Sequence, residues 1–292
     1  MVIGVRGMVG SAATAVVVGL GAFAAPTAFA APTVARAEAG SPVVTGWAPA
    51  GRAALHPGVV TDTAGGGTCT ANFVFTQGNR VFLGQAAHCA GTGEATETDG
   101  CSSATGPLGT TVAIQGSDGR DRRGAMVYSS WVAMQADGET DPDVCAYNDF
   151  ALVELSSGDT ADVNPSVPFF GGPTGLGSGT TSGDDVYSYQ NSSLRLGISQ
   201  LSPKQGISLG DTGGGWSTTV YTLTPGIPGD SGSGFLDATG KAFGVLSTIT
   251  IAPLAGSNGV GNLAKEIAYA QTHGVAGLSV VPGTEPFTPG IL

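Results

Sequence analysis

From Thr70 to Ile251 the chain is a succession of short runs rich in Val, Ile, Thr, Phe and Tyr, each stopped by Gly, Asn, Asp, Ser or Pro. Runs of that length and composition read as β-strands, and closely spaced strands fold as sandwiches or barrels rather than as helical layers. A first set covers 71–76, 80–86, 111–115, 124–132 and 150–155. A Gly/Thr/Ser/Asp segment, 171–185, separates it from a second set at 186–189, 194–199, 217–223, 234–237 and 242–251. Two blocks of strands joined by a linker predict an all-β architecture of two barrels or sandwiches. One helix is expected near the end, where Asn262 caps a run that gathers Leu263, Ala264, Ile267, Ala268 and Ala270 on one side before Gly274 stops it. Residues 282–292 read as a loose tail.

Composition decides which function classes remain. Apolar residues make up 41% and charged residues 11% of the 292, which supplies a core and excludes a charge-swollen disordered chain. The net charge is −11 and no basic cluster exceeds Arg122-Arg123, so a nucleic-acid footprint is missing. Residues 1–30 read as an export signal: Arg6, a small and apolar stretch from Met8 to Ala25, then Ala28-Phe29-Ala30 as a processing site. A membrane anchor is the alternative, but Gly10, Ser11, Thr14, Gly19 and Gly21 interrupt the stretch. With no later apolar run of membrane-spanning length, the expectation after signal removal is a secreted, extracellular protein off the membrane, with 31–65 as a leader or short propeptide. Export turns Cys69, Cys89, Cys101 and Cys145 into candidates for two disulfides, and they contain no Cys-x-x-Cys pair to suggest zinc. The acids Asp137, Glu139, Asp141 and Asp143 alternate as in a calcium loop, yet Pro142 stands where that loop needs Gly, so a solvated loop is expected.

Three local sequences carry chemistry. Gly84-Gln85-Ala86-Ala87-His88-Cys89 ends an apolar run beside a histidine. Tyr147-Asn148-Asp149-Phe150-Ala151-Leu152-Val153 sets an acid at the mouth of an apolar run. Pro228-Gly229-Asp230-Ser231-Gly232-Ser233-Gly234 puts a serine on a glycine-flanked turn. Each alone has an ordinary structural explanation, as a core-edge histidine, a strand cap and a turn. Together, in the order His, Asp, Ser, they resemble the active-site segments of chymotrypsin-like (trypsin-fold) serine proteases, in particular the secreted bacterial branch, over about residues 66–281. The α/β-hydrolase order is different, and position 233 is Ser where that motif requires Gly.

The resemblance implies two six-stranded antiparallel β-barrels, 66–170 and 171–281, with a C-terminal helix and the active site in the cleft between them. It implies a serine endopeptidase acting through an acyl-enzyme: Ser231 as nucleophile, His88 as base, Asp149 orienting the base, and the N–H groups of Gly229 and Ser231 as the oxyanion site. It further implies disulfides Cys69–Cys89 and Cys101–Cys145, and a buried, ion-paired Asp230; with no basic activation site in the sequence an internal cation is expected, Arg195 between Leu194 and Leu196, with a freed N-terminus as the alternative. Pro225 falls at the base of the first substrate pocket, Ser247, Thr248 and Ile249 along its wall, and Gly259 opposite. With no acid at Pro225 and no histidine in 247–250, a small or medium apolar P1 residue (Ala, Val or Leu) is expected. No metal or organic cofactor is implied; the partner is a polypeptide substrate and the protein is expected to be a monomer. The competing reading is a catalytically silent homologue that binds a partner through the same cleft.

Overall fold

A computed structural model describes residues 46–94, 98–250 and 256–290, with the side chains of Ile249 and Thr250 excepted, all within one unit, Gly40–Leu292. The expected signal peptide, the leader up to residue 45 and the last two residues lie outside the described residues.

The first block is a curled antiparallel sheet of β1 (Val60–Thr63), β2 (Thr68–Thr70), β3 (Val74–Gln77), β4 (Arg80–Gln85), β5 (Thr111–Gln115), β6 (Asp121–Ser129) and β7 (Ala151–Glu154). The second is a closed six-stranded antiparallel barrel of β8 (Asp185–Tyr189), β9 (Pro203–Thr212), β10 (Ser217–Thr222), β11 (Gly234–Asp237), β12 (Ala242–Thr250) and β13 (Ser257–Asn262), in the order β10-β13-β12-β11-β8-β9. A last strand, β14 (Ser279–Val280), returns to the first sheet and pairs with β3, giving the eight-stranded order β14-β3-β4-β7-β6-β5-β1-β2. The two-block β architecture is the one expected. In detail, the first block is a half-barrel whose sheet has eight strands and stays open. Two of its strands come from segments placed outside it by the sequence: β1 from the leader, β14 from the second block.

Several helices replace expected strand or loop. The run 124–132 is strand only as far as Ser129, where α1 (Ser130–Asp137) begins; it buries Ser130, Trp131 and Met134 and ends at Gly138 in the left-handed region. In α2 (Pro142–Tyr147) Asp141 is the N-cap, accepting from Asp143 N and Val144 N, with Pro142 in the first turn. Of the alternating acids, Asp137 ends α1, Glu139 lies in the short loop between the helices, and Asp141 and Asp143 start α2. The run 194–199 is not a strand: 3₁₀ turns occupy Ser193–Arg195 and Ser199–Leu201. The expected helix is present as α3 (Leu263–Thr272), its Asn262 side chain accepting from Ala264 N and Lys265 N.

Three apolar clusters hold these elements. One fills the first sheet with Val74, Leu83, Ile114, Met126 and Val153. A smaller one fills the barrel with Val186, Val220, Phe235, Phe243 and Val260. The third joins the two, with Phe73, Phe75, Phe82 and Phe150 from the sheet, Leu236 and Val245 from the barrel, and Leu263, Ile267 and Ala270 from α3. This shared core sets the facing edges of sheet and barrel, where the chemistry-bearing segments lie. Residues 282–290 are not a loose tail: Gly283 N donates to Pro173 O, Thr288 N to Phe170 O, and the Phe287 ring packs 5.5 Å from that of Tyr187. Backbone bonds of this kind leave no periodicity in a sequence. Among the described residues no helix is long and apolar enough to cross a membrane.

Candidate active site

His88 lies on a 3₁₀ turn, Ala87–Ala90, that follows β4, and the disulfide Cys69–Cys89 ties this turn to β2. The second disulfide joins Cys101 to Cys145 on α2, as expected. Both groups of potential metal ligands among the described residues, Cys69-His88-Cys89 and Asp99-Cys101-Cys145, contain disulfide-bonded sulfur, so neither offers a thiolate.

Asp149 is 4% exposed and stands just before β7. Its Oδ1 accepts from the His88 backbone N at 2.8 Å, and its Oδ2 lies 2.6 Å from His88 Nδ1 and 2.6 Å from Ser247 Oγ. An ionised carboxylate only accepts, so Nδ1 carries the proton and Nε2 is left with a lone pair. Burial works against the charge on both partners, yet the pairing outweighs it: the Asp149 charge and hydrogen bond hold the His88 pKa above its ordinary value, and the His88, Ser247 and backbone contacts hold Asp149 below its own. Ser247, expected as pocket wall, is bonded to Asp149.

A second carboxyl, Glu266, belongs to the site and is not among the residues the sequence singles out. It is fully buried on α3, and its Oε1 accepts from Asp149 N at 3.3 Å. Burial first, and the Asp149 charge second, push its pKa well above the ordinary carboxyl value, the opposite direction to Asp149. A signal for it exists: an acid at a position that shares the buried face of Leu263, Ile267 and Ala270.

Ser231 is carried on the loop between β10 and β11. Thr70 N donates to Ser231 O at 2.8 Å and Gly232 N to Leu246 O at 2.7 Å, so the loop is fixed to both the sheet and the barrel. Gly229 has φ 93° and Gly232 φ 85°, conformations in which a side chain is strained. Ser233 is buried and donates to Asp230 O at 2.6 Å. Asp230 is fully buried and ion-paired with Arg195, itself 8% exposed, as expected; Ser192 N and Ile227 N also donate to it. Nearby, buried Lys204 bonds Thr224 Oγ1, and burial with the Arg195 charge pulls its pKa down to about 8.

These segments meet at one cleft of about 650 Å³, lined by His88, Asp149, Gly229, Ser231, Ser247 and Thr248 among others. The N–H groups of Gly229 and Ser231 have no protein acceptor among the described residues. Pro225 and Gly259 do not line this cleft, and the Ile249 side chain lies outside the described residues. The strand register sets Gly259 against Thr248 and Asn258 against Ile249, so the residue that shares the face of Ile249 is Asn258, fully buried, with its Oδ1 accepting from Gly226 N.

No family model matches the chain, and no curated protein matches it in sequence. Solved structures do match. Protease A of Thermobifida fusca is 18% identical with a TM-score of 0.47, over 79% of this chain and 100% of that one. A glutamic-acid-specific serine protease is 17% identical with a TM-score of 0.47, over 78% and 100%, and a Nocardiopsis protease 20% identical with a TM-score of 0.45, over 77% and 98%. The similarity is one of fold, to bacterial serine proteases of the chymotrypsin type.

Proposed function

We propose that the chain is a secreted serine endopeptidase, with Ser231, His88 and Asp149 acting as a unit. The observation that carries this reading is the hydrogen-bonded His88–Asp149–Ser247 array opening on the same cleft as Ser231. His88 Nε2 takes the Ser231 Oγ proton as Oγ attacks the substrate carbonyl. The oxygen that becomes negative is met by the free N–H groups of Gly229 and Ser231, and Asp149 stabilises the imidazolium. His88 then gives its proton to the leaving amine, and water, activated by the same base, releases the acyl group. Two disulfides support an oxidising, extracellular setting.

For the first substrate pocket we keep a small or medium apolar P1 residue. Among the cleft-lining residues Ser247 and Thr248 offer no charge to a P1 side chain, and Lys204, bonded to the residue before Pro225, adds a cation near that segment and no anion. Asn258, buried with its Oδ1 on Gly226 N, stands opposite Ile249 where the sequence predicts Gly259.

The deciding experiment is labelling with an organophosphonate probe, mapped by mass spectrometry, on the unaltered protein and on Ser231→Ala, together with peptide-library hydrolysis. Modification at Ser231 and a fall in kcat of about 10⁴ or more in the variant are expected. No labelling and no hydrolysis would favour the silent homologue, and dominant cleavage after Arg, Lys, Asp or Glu would overturn the pocket assignment.

A further inference from the structure

The loop that carries Ser231 is gripped at two carbonyl oxygens by hydroxyl groups with no part in the proton transfers. Pro228 O accepts from Ser192 Oγ at 2.5 Å, and Gly229 O accepts from Thr70 Oγ1 at 2.9 Å. Both residues are buried, Thr70 at 0% and Ser192 at 2% exposure. Proton counting fixes the direction of each bond. A hydroxyl has one proton, and each of these oxygens already accepts from a backbone N–H that can only donate: Leu194 N to Ser192 Oγ at 3.1 Å, Asn191 N to Thr70 Oγ1 at 3.3 Å. The single proton is therefore committed to the carbonyl.

The two grips come from different parts of the fold. Thr70 ends β2 of the first sheet, and Ser192 follows β8 of the barrel. Between them lie the two peptide planes on either side of Gly229. The Gly229–Asp230 plane is held at both edges, Gly229 O by Thr70 and Asp230 N by its bond to Ile227 O at 2.9 Å. Among the described residues the Pro228–Gly229 plane is held only at Pro228 O, by Ser192. Its other edge is the Gly229 N–H, one of the two donors assigned to the oxyanion. In a planar trans peptide the N–H and C=O point opposite ways, so anchoring Pro228 O aims the Gly229 N–H. Nothing local would otherwise hold it, because glycine turns about φ with little steric resistance. A half-turn of that plane would bring a carbonyl oxygen to the cleft in place of the N–H, and a developing oxyanion would meet a like partial charge.

We propose that Ser192 and Thr70 are positioning residues of the oxyanion site, whose hydroxyls hold the planes flanking Gly229 so that its N–H is set before substrate arrives. This rests on the endopeptidase reading. A donor that matters when charge develops acts on turnover rather than on substrate binding. Ser192→Ala and Thr70→Val should each lower kcat per active site by about 10²-fold while KM stays within about twofold. Affinity for a peptide aldehyde, which forms a tetrahedral adduct on Ser231, should fall by the same factor as kcat. Thr70→Ser, which restores the hydroxyl, should recover most of the loss.

Active sites are counted by organophosphonate titration, so a variant that merely folds less well shows fewer sites with unchanged kcat; that result overturns the proposal. Should Thr70→Val not fold, Ser192→Ala and Thr70→Ser decide it, and full turnover per site in Ser192→Ala is sufficient to reject it. If the unaltered protein neither hydrolyses peptides nor reacts with the probe, the endopeptidase reading falls and this proposal with it.

Discussion

Asp149 and Glu266 are neighbours, with Asp149 N donating to Glu266 Oε1, and the structure supports charge on the first far better than on the second. Asp149 has donors from His88 and Ser247 at its oxygens, whereas Glu266 has a single backbone N–H and, among the described residues, an Oε2 without a partner, so the donors favour the charge on Asp149 and burial opposes it on Glu266. The Asp149 charge raises His88, and the sign of the pH effect follows. A base must be free of its proton, so kcat/KM should climb with pH through a midpoint above the ordinary histidine value of 6.5. Asp149→Asn removes what opposes burial, so the midpoint should move below that value while kcat falls about 10⁴-fold. A midpoint unmoved by Asp149→Asn, in a pH series of kcat/KM, would show that the charge is not what tunes His88. At this scale His88, Asp149 and Ser231 are legible because each sits in a short motif. Glu266, Thr70 and Ser192 are not, because what they do is defined by a backbone group distant in the chain.

Elements repeat this division. β10, β11 and β12 follow their β-branched and aromatic runs closely, and α3 follows its cap. β9 (PKQGISLGDT) and β13 (SNGVGN) have the composition of loops, and the sequence does not mark them as strands. In β13 the glycines leave room for neighbouring side chains: a Cβ at Gly259 would displace Thr248 Oγ1, and one at Gly261 the buried Glu266 Oε1. The disulfides, both within the first block, allow a dissociation of stability from activity. Their loops span 20 and 44 residues, which by loop entropy correspond to about 3 and about 4 kcal/mol. Cys101→Ala/Cys145→Ala should therefore lower Tm at least as much as Cys69→Ala/Cys89→Ala. The latter should harm kcat more, because Cys89 adjoins His88. Equal kcat in the two folded double variants, measured well below their Tm, would contradict the role given to the Cys69–Cys89 bond.

For the whole molecule, the C-terminal segment closes the structure. Val280 pairs with Phe75, Val281 N donates to Val74 O, and Gly172 N donates to Glu285 O, so the end of the chain binds the first sheet and the segment that leads to the barrel. Truncation after Gly277 removes buried Leu278 and Val281 and uncovers the edge of β3. It should cost at least about 3 kcal/mol, read as a lower urea midpoint, whereas removing only Gly290 to Leu292 should leave that midpoint unchanged. A midpoint unaffected by the first truncation would show that β14 adds nothing to the sheet. The sequence by itself determined the β class, the helix that Asn262 starts, the His, Asp, Ser order and, by the resemblance they carry, the cysteine pairs; it offered Arg195 for Asp230 beside a freed N-terminus, and the structure pairs Arg195. These are written in residue types and in neighbours along the chain. The tertiary structure alone decided that the first sheet stays open with eight strands while the second closes, that Asn258 and not Gly259 shares the face of Ile249, and which hydroxyls grip the Ser231 loop. Register, closure and hydrogen bonds to backbone groups far away in the chain depend on how strands are brought together, and main-chain donors and acceptors are the same at nearly every residue.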